Sequence, residues 1–168
     1  MVIGYATEAH LFIQDLNQSP FNIGCSIALP NFTLENTLDL NERYGRPVTK
    51  RQDIEDLQSL VGGQPLLTRR VFDAVARGRT DIATILATAD SDDGLFDDHL
   101  KRVLISVSQL PVVWAALAQS LESPNLPDSQ GLQKLVAAGI LARKSGGGHV
   151  LPCALYQRYL ARYVKGAA

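Results

Sequence analysis

Apolar residues recur at helical spacing along most of this chain, and turn formers cut the pattern into short pieces. The start differs. "MVIGYAT" is a near-continuous apolar run ending in a small polar residue, which predicts a buried strand of the parallel-sheet kind. Asn17, Ser19-Pro20, Asn22 and Gly24 then mark irregular chain, with a short extended piece, "CSIALP", behind them. The helical pattern sets in at Phe32. Thr33 is an N-cap for "LENTLDLNERY", Gly45 closes that helix, and Pro47 blocks its continuation. Thr49 and Gln52 read as a capping box for the next helix, which runs to a stop at Gly62-Gly63. Pro65 suits the first turn of the third helix, where a missing N–H costs no hydrogen bond, and that helix ends near Gly78.

Thr80 reads as the cap of "DIATILATA", and "DDGLFDDHLKRVLISVSQ" as a longer helix with an acidic start, the sign the helix dipole prefers. Pro111 opens "LPVVWAALAQSLE", "SPNLPDS" is a loop, and "SQGLQKLVAAG" is a short helix stopped by Gly139. "ILARK", "SGGG" and "HVLP" read as a β-hairpin, and "CALYQRYLARYVK" as a final helix. Helix, helix, two-stranded wing, helix is the layout of a winged-helix module. The pattern therefore predicts a mainly α protein: a helical bundle, then a winged-helix module with a small β-hairpin, plus one N-terminal strand.

Composition adds little to that picture. The chain has 168 residues, 46% of them hydrophobic and 20% charged, which is ordinary for a globular fold. No apolar run approaches the roughly 18 residues needed to cross a bilayer. The start has no basic n-region, so neither a signal peptide nor a membrane partner is expected, and a cytoplasmic location is. Cys25 and Cys153 match no metal spacing and read as reduced, structural thiols. Charge is more informative. From Ser129 onward there is no acid and there are six bases, Lys134, Arg143, Lys144, Arg158, Arg162 and Lys165. That segment is +6, so with a total of −1 the remainder is −7. A basic module on an acidic body fits an anionic partner.

Candidate chemistry is sparse. No G-x-x-x-x-G-K-S/T stretch occurs, and "KSGGGHV" has its Lys on the wrong side with no helix behind it. "IATILATADSDD" resembles an apolar run ending in a Mg²⁺-binding aspartate, but its apolar spacing is helical. Asp90, Asp92 and Asp93 therefore read as helix-end caps, and no metal site is expected. His10, His99 and His149 form no ligand pair and read as surface or packing residues. Tyr156, Tyr159 and Tyr163 make a core-facing stripe on one helix. Arg158, Arg162 and Lys165 make a basic stripe on another face, which with Lys134, Arg143 and Lys144 could meet phosphates. The presumed recognition helix offers only Gln130, Gln133 and Lys134 for base reading, so nucleic acid is not the favoured partner.

Four stretches carry a family likeness: "NQSPFNIGCSIALPNFTLENTLDLNERYG", "LVGGQPLLTRRVFDAVARG", "DHLKRVL" and "LVAAGILARKSGGGHVLPCALYQRYLARYV". Together they resemble the AAA-like domain of bacterial, especially cyanobacterial, proteins, a group of P-loop ATPases allied to the signal-transducing STAND class. The resemblance implies that residues 1–31 are residual core strand and loop, 32–108 a helical lid and 109–168 a winged helix. It also implies that the P-loop and the Mg²⁺-binding aspartate lie upstream, in a truncated, split or excised gene product. In that class a Gly-x-Pro corner in the lid packs its proline on adenine, and here the motif matches Gly63-Gln64-Pro65. A polar residue beyond a core strand senses the γ-phosphate there, which falls on Thr7 and Glu8, and Arg69 lies one helical turn past the corner.

The resemblance implies the lid and winged-helix portion of a nucleotide-dependent switch. ATP or ADP with Mg²⁺ would be the cofactor of the intact domain, and a P-loop portion or another protein the partner. The chain alone should have no catalytic residues. The alternative, motivated by the +6 segment, is a standalone winged-helix DNA-binding regulator.

Overall fold

A computed structural model describes residues 29–123 and 125–166. Eight helices lie among them: α1 (Leu34–Arg43), α2 (Arg51–Val61), α3 (Pro65–Ala76), α4 (Ile82–Thr88), α5 (Asp97–Ser108), α6 (Pro111–Glu122), α7 (Gln130–Ala137) and α8 (Ala154–Gly166). Strands β1 (Ala142–Arg143) and β2 (His149–Val150) pair antiparallel, with Ala142 opposite Val150 and Arg143 opposite His149. Among the described residues the protein is mainly α with one small hairpin, as the apolar spacing predicts. The expected strand over 1–7, the extended piece at 25–30 apart from its last two residues, and Cys25 and His10 lie outside the described residues.

The described chain divides into two compact units. Residues 29–101 and 153–163 make one; residues 102–152, with Val164 onward, belong to the other. In the first unit α2 packs against α1, α3 and α4. Its apolar stripe, Ile54, Leu57, Leu60 and Val61, is buried, as are Leu67, Val71 and Phe72 of α3. The turn after α1 is clamped by a buried side chain. Asn41 Nδ2 donates to the Val48 carbonyl at 2.9 Å and its Oδ1 accepts from the Val48 N–H at 3.1 Å. Those two bonds replace a strand partner, and they hold Arg46 at φ 58°, a region that non-glycine residues seldom occupy.

In the second unit α6 packs against α7. Gly131 permits the close crossing. A Cβ there would run into the Val112 carbonyl and would sit 2.7 Å from the Ala116 Cβ. The hairpin turn runs through Gly147 and Gly148, at φ 91° and 80°, with the Lys144 N–H donating to the Gly148 carbonyl at 3.1 Å.

Several expected boundaries shift, each for a visible reason. Helix α2 begins at Arg51 with Lys50 as N-cap and no side-chain cap bond. The Thr49–Gln52 capping box does not form, because Gln52 Nε2 donates to Asp56 Oδ1 at 2.9 Å instead. Asp81, not Thr80, caps α4, its carboxylate accepting from the Thr84 N–H at 2.8 Å. A carboxylate at a helix N-terminus is a charge-assisted acceptor and outcompetes a hydroxyl. Helix α5 begins only at Asp97, because Gly94 turns the chain beneath the Thr88 carbonyl, where a Cβ would collide. The capping box at Thr33 does form, with Asn36 as its reciprocal partner.

Candidate functional site

The Gly62–Pro65 corner is built from both helices it joins and from the chain that leads into α1. Gly62 ends α2 in the left-handed conformation at φ 62°, and Gly63 follows at φ 67°. Two successive positive φ values reverse the chain within two residues, which glycine does without steric cost. Gln64 then caps α3, its Oε1 accepting from the Leu67 N–H at 2.8 Å, and Pro65 takes the first helical position. Pro65 and Leu66 are exposed, Leu66 to 44%, so the corner turns a small apolar face outward. Gly63 itself is buried.

The reason for Gly63 is the lead-in segment. The Phe32 N–H donates to the Gly63 carbonyl at 2.8 Å, and Asn31 Nδ2 donates to the Gly62 carbonyl at 3.0 Å. A Cβ on Gly63 would strike the Phe32 carbonyl and would lie 2.7 Å from Gln58 Nε2. Gln58 Nε2 donates to that same carbonyl at 2.7 Å, and Gln58 Oε1 accepts from the buried Thr37 hydroxyl at 2.7 Å. The space a side chain would need is thus filled by neighbouring backbone.

Arg69 is exposed one turn along α3 from Pro65. Its guanidinium lies beside the Tyr44 phenol, which holds its pKa above the usual arginine value. The Tyr44 ring is in turn set against Phe72, with centroids 6.2 Å apart. Pro65 and Arg69 are four residues apart on one helix and so share a face. Thr7 and Glu8, the expected phosphate-sensing pair, lie outside the described residues.

The basic residues do not form one free stripe. On α8, Arg162 Nη2 donates to the Asp90 carbonyl at 2.8 Å and to Asp92 Oδ1 at 3.2 Å. Its guanidinium carbon stands 5.3 Å and 5.4 Å from the Tyr159 and Tyr163 ring centroids, within cation–π reach. The Tyr163 hydroxyl donates to Asp92 Oδ1 at 3.2 Å. Asp92 is therefore a receptor for α8, and it does not take the helix-capping role expected of it. Lys101 donates to the Asp92 carbonyl at 3.3 Å and to Asp97 Oδ2 at 2.7 Å; the Asp97 bond holds the Lys101 pKa up. Arg158 is exposed, and Lys165 belongs to α8 with its side chain outside the described part.

Two of the three stripe tyrosines, Tyr156 and Tyr159, face inward as their spacing predicts, while Tyr163 is half-buried. Tyr159 is fully buried and Tyr156 nearly so. Burial, with Tyr163 beside it, pushes the Tyr159 phenol well above its ordinary pKa. Tyr156 pairs with His99, Nε2 to hydroxyl, at 2.8 Å with the two rings stacked. His99 and His149 are both packing residues, and neither ring nitrogen of His149 has a hydrogen-bond partner among the described residues.

In the second unit Lys134 lies half-buried on α7, while Arg143 and Lys144 are exposed at the hairpin. Arg143 Nη2 stands 3.9 Å from Asp128 Oδ2. Among the described residues no group of three or more His, Cys, Asp or Glu side chains could hold a metal ion. No single described helix is long and apolar enough to cross a membrane.

Reading the sequence alone misses both networks, the one at Phe32 and the one at Asp92. Apart from the Lys101 bond to Asp92, their partners are 21 to 72 residues apart, beyond any local pattern.

Comparison with known proteins places this architecture. Over 78 residues the chain is 41% identical to an uncharacterized WD repeat-containing protein of Synechocystis sp.; the match covers 45% of this chain and 6% of that protein. The chain thus corresponds to a small fraction of that relative's length. No solved structure matches. The sequence model of the AAA-like domain matches residues 1–162, nearly the whole chain, and the chain therefore belongs to the AAA-like domain family.

Proposed function

We propose that the chain forms the lid and winged-helix portion of a STAND-type, nucleotide-dependent switch, with Gly63-Gln64-Pro65 as its adenine-facing corner. Membership of the AAA-like domain family supports a nucleotide-binding, ATPase-related role. The single observation that carries the finer reading is the outward face of the corner. Pro65 and Leu66 are apolar and exposed where α3 begins, and the Arg69 cation stands on the same face one turn on. An apolar surface beside an exposed cation fits a purine with phosphates attached.

The described residues supply that face and neither a phosphate loop nor a Mg²⁺ ligand set. Phosphate and metal binding would fall to a P-loop-bearing partner or polypeptide, and the chain alone turns over no ATP. In this reading the lid spans 32–108 and the winged helix 109–168. The order of helices α6 and α7 and the β1–β2 hairpin supports the latter. A nucleotide that contacts the lid differently as ATP and as ADP would set its angle, and the winged helix would report that angle to a protein partner.

The test is Pro65→Ala. Pro65 is exposed at the first helical position and Ala is a good helix former, so the stability of this chain should hardly change. In an assembly with a P-loop-bearing portion, the loss of one apolar face should cost about 1 kcal/mol, roughly fivefold in affinity for labelled ADP. Unchanged affinity together with a lowered melting temperature would mean that the corner is only a turn.

A further inference from the structure

Two hydrogen bonds tie residues 31 and 32 to the Gly62-Gly63 corner, and the Gln58 side chain makes two more behind them. Asn31 and the Phe32 N–H bond the carbonyls of Gly62 and Gly63 at 3.0 Å and 2.8 Å. Gln58 then holds the Phe32 carbonyl at 2.7 Å and receives the buried Thr37 hydroxyl at 2.7 Å. The orientation of the Gln58 amide is fixed. The Phe32 carbonyl can only accept, so the NH₂ must face it, and Oε1 is left to accept from Thr37. One planar, uncharged amide thus bonds a carbonyl and a hydroxyl at once. We propose that Gln58 is a positioning residue that couples the corner to the segment leading into α1. A displacement of Gly63 is thereby transmitted to residues 29–32, and a pull on that segment reaches the corner. That this coupling carries nucleotide state rests on the function proposed above; that it exists does not.

The experiment is amide hydrogen exchange at Phe32 in the full chain, with interior α2 amides as the internal standard. Gln58→Glu keeps the shape and makes the donor switchable. An ionised carboxylate offers no proton to the Phe32 carbonyl, whereas the neutral acid has one O–H donor and one acceptor, as the amide does. At pH 7 the Phe32 amide of the variant should exchange about tenfold faster than wild type, the yield of one lost hydrogen bond. Below about pH 4, where the acid is neutral, the ratio to wild type at the same pH should return toward one.

A ratio near one at pH 7 overturns the proposal. So does an elevated ratio that ignores pH, since general loosening would give it. Thr37→Val serves where Gln58→Glu does not fold at pH 7; about threefold faster Phe32 exchange is expected, and no change overturns the coupling. A final arm adds ADP to the chain assembled with a P-loop-bearing portion. Protection of Gly63 that extends to Phe32 in wild type and stops at the corner in Gln58→Glu at pH 7 supports both readings. Protection reaching Phe32 equally in both proteins overturns the coupling alone. No effect of ADP on wild type, with the pH-dependent ratio intact, counts against the nucleotide reading alone.

Discussion

Gly63, Gly45 and Gly78 all have φ between 64° and 82°, yet they should respond differently to the same substitution. A Cβ at Gly45 or Gly78 meets nothing within 4 Å, so alanine there adds only the left-handed backbone cost of about 1 kcal/mol. At Gly63 the same atom also meets the Phe32 carbonyl, and backbone cannot step aside as a flexible side chain can. Gly63→Ala should therefore lose roughly 2–4 kcal/mol in urea unfolding, and the other two about 1. Equal losses at all three sites would show that the lead-in segment is not held against the corner. The sequence makes Gly63 visible as a helix stop. It cannot show that residue 32 is what excludes a side chain, because that contact closes only in three dimensions.

Asp81 sets an acid limit at the same scale. The Thr84 backbone N–H, and then its hydroxyl, hold the Asp81 carboxyl below its usual range. A carboxyl depressed on folding contributes stability that is present above its unfolded pKa, near 3.9, and lost as pH falls through the folded value. Protection of α4 amides should weaken over that acidic window in wild type. In Asp81→Asn, which keeps the acceptor without the charge, the contribution of this site should no longer change with pH. Cys153 behaves in the opposite sense: burial pushes its thiol up, so alkylation by iodoacetamide at pH 7 should wait for unfolding.

Among elements, α8 is the one whose surroundings its own pattern could not reveal. The spacing of Tyr156 and Tyr159 identified the buried face, because tyrosines at i and i+3 share a side of any helix. The spacing of Arg158, Arg162 and Lys165 identified a basic face just as well. It did not reveal that Asp90 and Asp92 receive Arg162 from 70 and more residues away. Both partners are substantially exposed, Arg162 to 46% and Asp92 to 65% in the side chain, so the ion pair itself is modest. Asp92→Asn should cost about 0.5–1 kcal/mol at low salt and less at 1 M, and should speed amide exchange in the 90–94 turn before it affects α2. Exchange unchanged in that turn would show that the Asp90 carbonyl bond and the ring contacts hold α8 without the carboxylate. The helices themselves were legible because their apolar faces repeat every turn. Their first residues were less so: at the start of α2 Gln52 bonds Asp56 instead of capping, and at α4 the Asp81 carboxylate caps in place of the Thr80 hydroxyl.

Across the whole molecule, the +6 segment is less available to a polyanion than its charge implies, since Arg162 is bonded within the first unit and Arg143 stands near Asp128. A gel shift with duplex DNA at 50 mM salt should show no specific complex; a complex whose affinity falls steeply with salt would favour the DNA-binding alternative. Another whole-molecule feature concerns time. The first unit begins at residue 29, is left at residue 101, and is completed only by residues 153–163, after the 51 residues of the intervening stretch. At translation rates of roughly 5–20 residues per second, that stretch takes about 3–10 s to emerge. Throughout it His99 has no Tyr156 to bond, and the side chains that α8 will cover face water. A nascent polypeptide with this order of parts presents a chaperone, or a neighbouring nascent copy, with an unfinished apolar surface for seconds in every round of synthesis.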